Sequence, residues 1–450
     1  MPRPLSNRET LQDPETMFNS ISPAAPTTAA FLLTLALVLT ATQPVQAQTF
    51  QVLYSFTGGF DGTNPSSGVL LGPDGSLYGN TLGNPFAPLP AGYGTAFKLT
   101  NTGSGWTLST LYSFTGGMDG AAPAGMTFAP DGSLYGVTQG GGIQYYLCLE
   151  GFPYYGCGTV FKLTPSSNGS WTQSVLYRFE QHSNDGWLPI GPPVLDASGN
   201  VYGTTIGSPY QCGQSSDCGT AYQLALTGTG WIESVIFQFG SQGFGPNSLV
   251  FDSAGNLYGT TSLGGLEGDA PPPVYNNGNG VAFELTPSST SWNETVLHNF
   301  NQQMQLNAGE NPSGGLIFDH SGNLYGVTLY GGTDNAGTVY ELARQGDNWA
   351  FQTLYNFQGH DTLGGTGSLA MDAAGNLYGV RSSYSGNYGT VFKLTNTGAG
   401  WVYSVLHEFT NPGDGTYVPG VLTLDAEGNL YGTAQSGGAH GHGVVWEIMP

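Results

Sequence analysis

Residues 313–357 read SGGLIFDHSGNLYGVTLYGGTDNAGTVYELARQGDNWAFQTLYNF. Four runs of strand length lie in this stretch, each closed off by turn chemistry. SGGLIFD (313–319) is apolar and is labelled strand A. HSGN (320–323) is a tight turn, in which Gly permits a positive φ and Asn can bond the turn backbone. LYGVT (324–328) is strand B. A variable loop follows, then GTVYEL (337–342) as strand C, a polar turn over 343–348, and WAFQTLYNF (349–357) as an alternating strand D. Four short antiparallel strands in a meander make the blade of a β-propeller.

The pattern recurs seven times. Strand B is marked by a hydrophobic residue, Tyr and Gly, with tyrosines at Tyr78, Tyr135, Tyr202, Tyr258, Tyr325, Tyr378 and Tyr431. Their spacings are 57, 67, 56, 67, 53 and 53, which means loops of variable length on a constant frame. The A–B turn reads PDGS at 73–76 and 130–133, DASGN at 196–200, DSAGN at 252–256, DAAGN at 372–376 and DAEGN at 425–429. Strand D opens with Trp106, Trp171, Trp231, Trp292, Trp349 and Trp401. It ends on Phe56, Phe114, Phe179, Phe239, Phe300, Phe357 and Phe409. These aromatic residues are assigned to the core between blades rather than to a carbohydrate platform. A lone strand D, FQVLYSF (50–56), precedes the first unit, and the last unit stops at its strand C, GVVWEIM (443–449). The expected fold is therefore all-β, a seven-bladed propeller of four-stranded blades, closed by one N-terminal strand joining three C-terminal strands. An open stack would leave that first strand unpaired.

The repeat resembles the GloVer-type tandem repeat of exported proteins from bacteria such as Gloeobacter and Verrucomicrobia. The matching pattern is GNLYGVT at 322–328, Gly331-Gly332, GTVYEL at 337–342 and GTVFKLT at 389–395. The resemblance spans residues 50–450. It implies an exterior location, often with a C-terminal sorting anchor, which the ending Met449-Pro450 lacks. It implies no chemistry, so no catalytic residue carries over.

Export is also read from the leader. Residues 29–39 (AAFLLTLALVL) form a short apolar core and Val45-Gln46-Ala47 a small-x-small cleavage site, so the mature chain is expected to start at Gln48. Residues 1–47 are assigned to the signal peptide and leader, and 48–450 to a single propeller domain. The apolar run is shorter than the ~20 residues of a membrane span, and no stable span is expected after signal removal. The chain carries 30 acidic and 8 basic residues, net −22, which argues against nucleic acid or anionic membrane as a partner. Four cysteines come as close pairs, Cys148/Cys157 and Cys212/Cys218, read as disulfides inside long loops, with bridges between the two loops left open.

In a propeller the B–C and D–A loops share one face. Here the B–C loops over 83–93, 139–157, 206–218 and 262–279 are long and irregular, whereas the A–B turns are short, which makes the first set the candidate ligand face. The D–A loops repeat Asp-Gly ahead of Pro: Asp61 with Pro65, Asp119 with Pro123, Asp185 with Pro189 and Asp414 with Pro419. One reading is a carboxylate ring able to bind Ca²⁺. The preferred one is a self-bonded turn in each loop. His182 and His360 lie in D–A loops, and His440 and His442 in the last B–C loop. His298 and His407 occupy a slot that holds Tyr54, Tyr112, Tyr177 and Tyr355 elsewhere, which makes them structural variants.

No GxSxG, HExxH or phosphate-cradling loop is present. The preferred function is an exported, monomeric binding or scaffold module, secreted or periplasmic, taking a glycan, peptide or protein on the long-loop face. Beside Ca²⁺ no cofactor is expected. The alternatives are an extracellular propeller lyase or hydrolase on a polysaccharide or small cyclic compound, and a purely structural surface protein.

Overall fold

The computed structural model describes residues 48–84, 91–143, 148, 156–180, 185–208, 218–240, 243–265, 279–289, 291–300, 309–359, 362–383 and 388–449. The leader lies outside them. The strands form seven antiparallel sheets in a closed β-propeller; six run as meanders of strands A to D in chain order, and the seventh takes its outer strand from the N-terminal end of the described chain. Blade 1 runs through Pro65–Leu71, Leu77–Thr81, Thr95–Asn101 and Trp106–Ser113. Blade 2 has the same order from Ala121–Phe128 to Trp171–Arg178, and blade 3 from Trp187–Leu195 to Gly230–Gln238. In blade 4 strand A is split into Phe244–Pro246 and Val250–Phe251, both paired to Leu257–Leu263.

Blade 5 shows how far the sequence boundaries hold. Its strands are Gly309–Phe318, Leu324–Gly331, Thr338–Gln345 and Asn348–Asn356. Strand A starts four residues earlier than expected and strand B ends three later. The two extend together, because Gly309 pairs with Gly331 and Glu310 with Tyr330 beyond the Pro312–Thr328 pair.

Ring closure follows the expected join. Thr49–Ser55 pairs antiparallel with Val444–Met449, in the sheet that also holds Leu430–Ala434 and Thr423–Leu424. Phe50 packs edge-on to Phe409 at 5.7 Å and lies flat on His407 at 3.7 Å.

The aromatic residues of the repeat fill the joints between blades. Each strand D Phe meets an aromatic residue on strand C of the next blade: Phe56 with Phe97, Phe114 with Phe161, Phe179 with Tyr222, Phe409 with Trp446, at 5.1–5.7 Å. The strand D Trp of blades 1 to 5 meets the strand B Tyr of the blade before it, as Trp171 does Tyr78 at 6.1 Å and Trp106 does Tyr431 at 6.5 Å across the closure. Such edge-to-face pairs contribute about 0.5–1.5 kcal/mol each beyond area burial.

The recurrent Gly and Pro belong to the same joints. Gly443, ahead of the last strand C, has a φ of +100°, and a Cβ there would lie 2.5 Å from Pro65 Cδ in blade 1. Gly94 stands in the same relation to Pro123, so the Pro of the Asp-Gly…Pro motif is an inter-blade contact.

His298 confirms the structural reading of its slot. Its ring stacks on Phe351 of blade 5 at 3.9 Å, and burial pushes its pKa down from 6.5 to about 4. Between those values the unfolded chain binds a proton that the folded one refuses. Stability is therefore expected to fall as pH drops from 6.5 towards 4, by up to about 3 kcal/mol. His298→Phe, the residue type of Phe237 in blade 3, should remove this component. Denaturant unfolding at pH 7 and pH 4.5 checks it.

Candidate functional site

The D–A loops begin where strand D leaves its sheet, and their aspartates are fixed there. Asp61 accepts from Tyr54 Oη (3.1 Å), Thr57 N (2.6 Å), Thr57 Oγ1 (2.6 Å) and Gly59 N (3.1 Å). Burial works to raise the Asp61 pKa, but the bonds from Thr57 and Tyr54 outweigh it and hold the carboxyl below its usual range. Burial and the charge of Asp61 push the Tyr54 phenol up to about 12. Asp119 repeats the arrangement with Tyr112 Oη at 3.0 Å, Thr115 N at 2.9 Å and the Thr115 hydroxyl. The tyrosine slot on strand D thus has a purpose the sequence did not disclose: it clamps the loop aspartate. The following Gly packs on a buried Thr pair, as Gly120 does on Thr138 and Thr159.

Asp414 differs in detail. Its carboxylate accepts from Asn411 Nδ2 at 2.8 Å, while Asn411 Oδ1 accepts from Gly413 N at 2.7 Å and caps the turn. His407 Nε2 stands 3.8 Å from Asp414 Oδ2, too far for a hydrogen bond. The Asp-Gly motifs are therefore self-bonded turns. Among the described residues no group of three His, Cys, Asp and Glu side chains able to hold a metal is present.

His442 is also accounted for by packing. Its ring covers Gly58, where a Cβ would lie 2.5 Å from Nε2, and its Nδ1 is 3.2 Å from Thr63 Oγ1. Tyr93 covers Gly116 in the same way one blade on. His440 is exposed. His182 and His360 lie outside the described residues, as does Cys212. Cys148 and Cys157 form a disulfide within one B–C loop, and Cys218 is also disulfide-bonded.

Two features of this face were not read from the sequence. The first is a pair of exposed apolar tips. Phe60 and Met118, each just ahead of its Asp-Gly, are 76% and 56% exposed although both loops are fully tied down. Thr110 Oγ1 of blade 1 donates to the Phe60 carbonyl at 2.9 Å, and Arg178 Nε of blade 2 to that of Met118 at 2.8 Å. The second is a set of polar atoms at the joint of blades 2 and 3. Asp185 is 2% exposed; its Oδ2 accepts from Tyr177 Oη at 2.7 Å and Glu180 N at 3.0 Å, and its Oδ1 has no hydrogen-bond donor. Glu233 Oε1 and the fully buried Tyr222 Oη also lack partners. Burial and the charge of Asp185 push the Glu233 carboxyl up to about 8, and burial and Glu233 push the Tyr222 phenol up. Alignment of the repeats holds the signal that could have found this set. Glu233 stands where blade 2 has Gln173, Tyr222 where Phe97 and Phe161 stand, and Glu180 where Thr57 and Thr115 stand.

A family model for the Gloeobacter/Verrucomicrobia repeat matches residues 274–450. No curated protein matches the chain. Among solved structures, an ulvan lyase of a polysaccharide lyase family is similar, with a TM-score of 0.50 and 10% identity over 86% of this chain and 94% of that one. The periplasmic gluconolactonase of Pseudomonas aeruginosa has a TM-score of 0.47 and 15% identity over 86% and 99%. A gluconolactonase of Xanthomonas campestris has 0.40 and 13% over 89% of each chain. At these identities the likeness is one of fold.

Proposed function

We propose that this chain, a propeller carrying the Gloeobacter/Verrucomicrobia repeat, is an exported binding module that takes an extracellular glycan or peptide on its B–C and D–A loop face. The carrying observation is the exposure of Phe60 and Met118 at equivalent positions of adjacent, immobilised loops. An apolar side chain held out by a rigid loop binds without a large ordering cost. The net charge of −22 favours an uncharged or cationic ligand over a polyanion. The Cys148–Cys157 bridge suits an oxidising, exported setting. Among the described residues no helix is long and apolar enough to cross a membrane.

The lyase or hydrolase alternative needs an imidazole and carboxylates with free lone pairs facing substrate. Asp61 and Asp119 spend both oxygens on their own loops, and His442 spends its ring on Gly58 and Thr63. That commitment removes Asp61, Asp119 and His442 from a catalytic set. A glycan and peptide binding screen on residues 48–450 tests the proposal. Phe60→Ala with Met118→Ala is expected to weaken the ligand found by about tenfold or more, which is ~1.4 kcal/mol, with an unchanged melt. Unaltered affinity would move the site elsewhere, and an empty screen would favour the structural surface protein.

A further inference from the structure

The joint of blades 6 and 7 departs from its neighbours at two positions, and each departure exposes a tyrosine. The first position is the residue ahead of the strand C glycine. At two joints that residue covers a glycine of the following D–A loop, His442 over Gly58 and Tyr93 over Gly116. Tyr388 holds this position in blade 6, but Asn411 stands where Gly58 and Gly116 stand. Asn411 Oδ1 accepts from Gly413 N and its Nδ2 donates to Asp414 Oδ2, and Tyr388 is left 40% exposed. The second position ends the D–A loop, two residues after a glycine, and is left-handed in six blades. Asn64, Gly245 and Asn311 are residue types that tolerate a positive φ, and Ala122 and Leu188 are buried. Tyr417 has a φ of +55° and is 47% exposed, so neither residue type nor burial offsets its backbone cost.

The two tyrosines issue from touching segments. A Cβ on Gly389, next to Tyr388, would lie 3.5 Å from the Cβ of Val418, next to Tyr417. Both segments are fixed, because Phe409 N donates to Gly389 O at 2.9 Å and Gln435 N to Tyr417 O at 3.0 Å. The loop that ends on Tyr417 is acidic. Asp414 lies three residues before it, Glu408 is exposed at the end of the strand that feeds the loop, and residues 410–419 contain no Lys or Arg. An aromatic face is negative at its centre and attracts a cation, and a carboxylate close by adds to that attraction. We propose that Tyr388 and Tyr417 form a recognition site for a cationic side chain, the guanidinium or ammonium of a peptide, with Asp414 and Glu408 supplying the countercharge. The site deepens the proposed function, on which it rests for the choice of face, and selects a cationic peptide over a neutral glycan. The net charge of −22 draws such a peptide from a distance, and a neutral saccharide gains nothing from it. Rings held out by a fixed backbone are ordered before the ligand arrives.

Calorimetric titration of the chain with tetra-arginine tests the site, with tetraglycine and cellotetraose as uncharged probes. Tyr388→Ala and Tyr417→Asn leave the net charge unchanged, so a loss of affinity reports the rings and not the general field. A loss of about threefold is expected for each and about tenfold for the two together, with no binding of the uncharged probes. Asn is the residue of blades 1 and 5 at the position of Tyr417, so Tyr417→Asn should keep or raise the melting temperature. A lower melt would make the ring a packing element and overturn the site. Equal tetra-arginine affinity in the double variant, or cellotetraose held by the same two rings, would overturn it as well. Phe60→Ala with Met118→Ala separates the two readings. Tetra-arginine weakened by that pair and not by the tyrosine pair keeps the ligand face and rejects this site. The reverse keeps this site and rejects the apolar tips.

Discussion

Deleting Thr49–Ser55 is expected to cost most of the stability of the propeller. The strand is the outer member of blade 7 and pairs with Val444–Met449 along its length. It also holds Phe50 against Phe409 and places Phe56, fully buried, against Phe97 of blade 1. Each such side chain contributes about 1.5–3 kcal/mol by burial. Losing the strand and both contacts approaches the roughly 5–15 kcal/mol that a whole domain has to spare. The deleted chain should therefore melt with lost cooperativity rather than with a small shift. A permuted chain tests the cause. Moving residues 49–56 behind Met449 through a turn like that between Gln345 and Asn348 gives blade 7 the connectivity of the other six. Its melt should recover; a permutant as unstable as the deletion would show that the strand acts other than by closing the ring.

The second large effect is expected at the inner strands. Gly420 lies where blade 7 passes blade 6, and a Cβ there would overlap the carbonyl of Thr366. The obstacle is backbone, which cannot swing away as a side chain would. Gly367 meets Gly420 in the same manner, and Gly314 meets Gly367, so the inner strands of blades 5, 6 and 7 approach with backbone against backbone. Gly420→Ala should cost about 3 kcal/mol or more, at the upper end of overpacking effects. Gly228→Ala is the control, since that glycine has open space around it and an unremarkable φ; it should be neutral. Denaturant unfolding of the two variants gives the comparison. Equal midpoints would mean that the inner strands have room to separate.

Much of the fold was legible because each element carries its own local signal. The A–B turns read as turns from Asp, Gly and Asn, and in the folded chain Asp372 bonds the backbone of Ala374 and Asn376 as that chemistry requires. The tyrosine of strand B and the tryptophan of strand D were read as core, and they meet across the joints. Boundaries were less legible. Strand A of blade 5 gains Gly309–Pro312 from pairing with an extended strand B, a cross-strand effect with no local signature.

The candidate site was legible in place but not in role. Asp61 and Asp119 stood out by repetition, yet repetition reflected a shared turn, and the clamp by Tyr54 and Tyr112 emerges only once strand D folds back beside its own loop. Phe60 and Met118 looked like any apolar residue in a chain whose blades bury so many. Their exposure is a property of the loops that hold them.

The sequence by itself determined the repeat, its count and the strand that closes the ring. These follow from periodic patterning and from an unpaired element at each end. Only the tertiary structure decided which polar atoms are satisfied, because a donor and its acceptor come from different blades. Glu233 and Gln173 differ little as letters in a repeat. What distinguishes them is the setting: Glu233 is pushed up by burial and by the charge of Asp185, a residue 48 positions away in sequence.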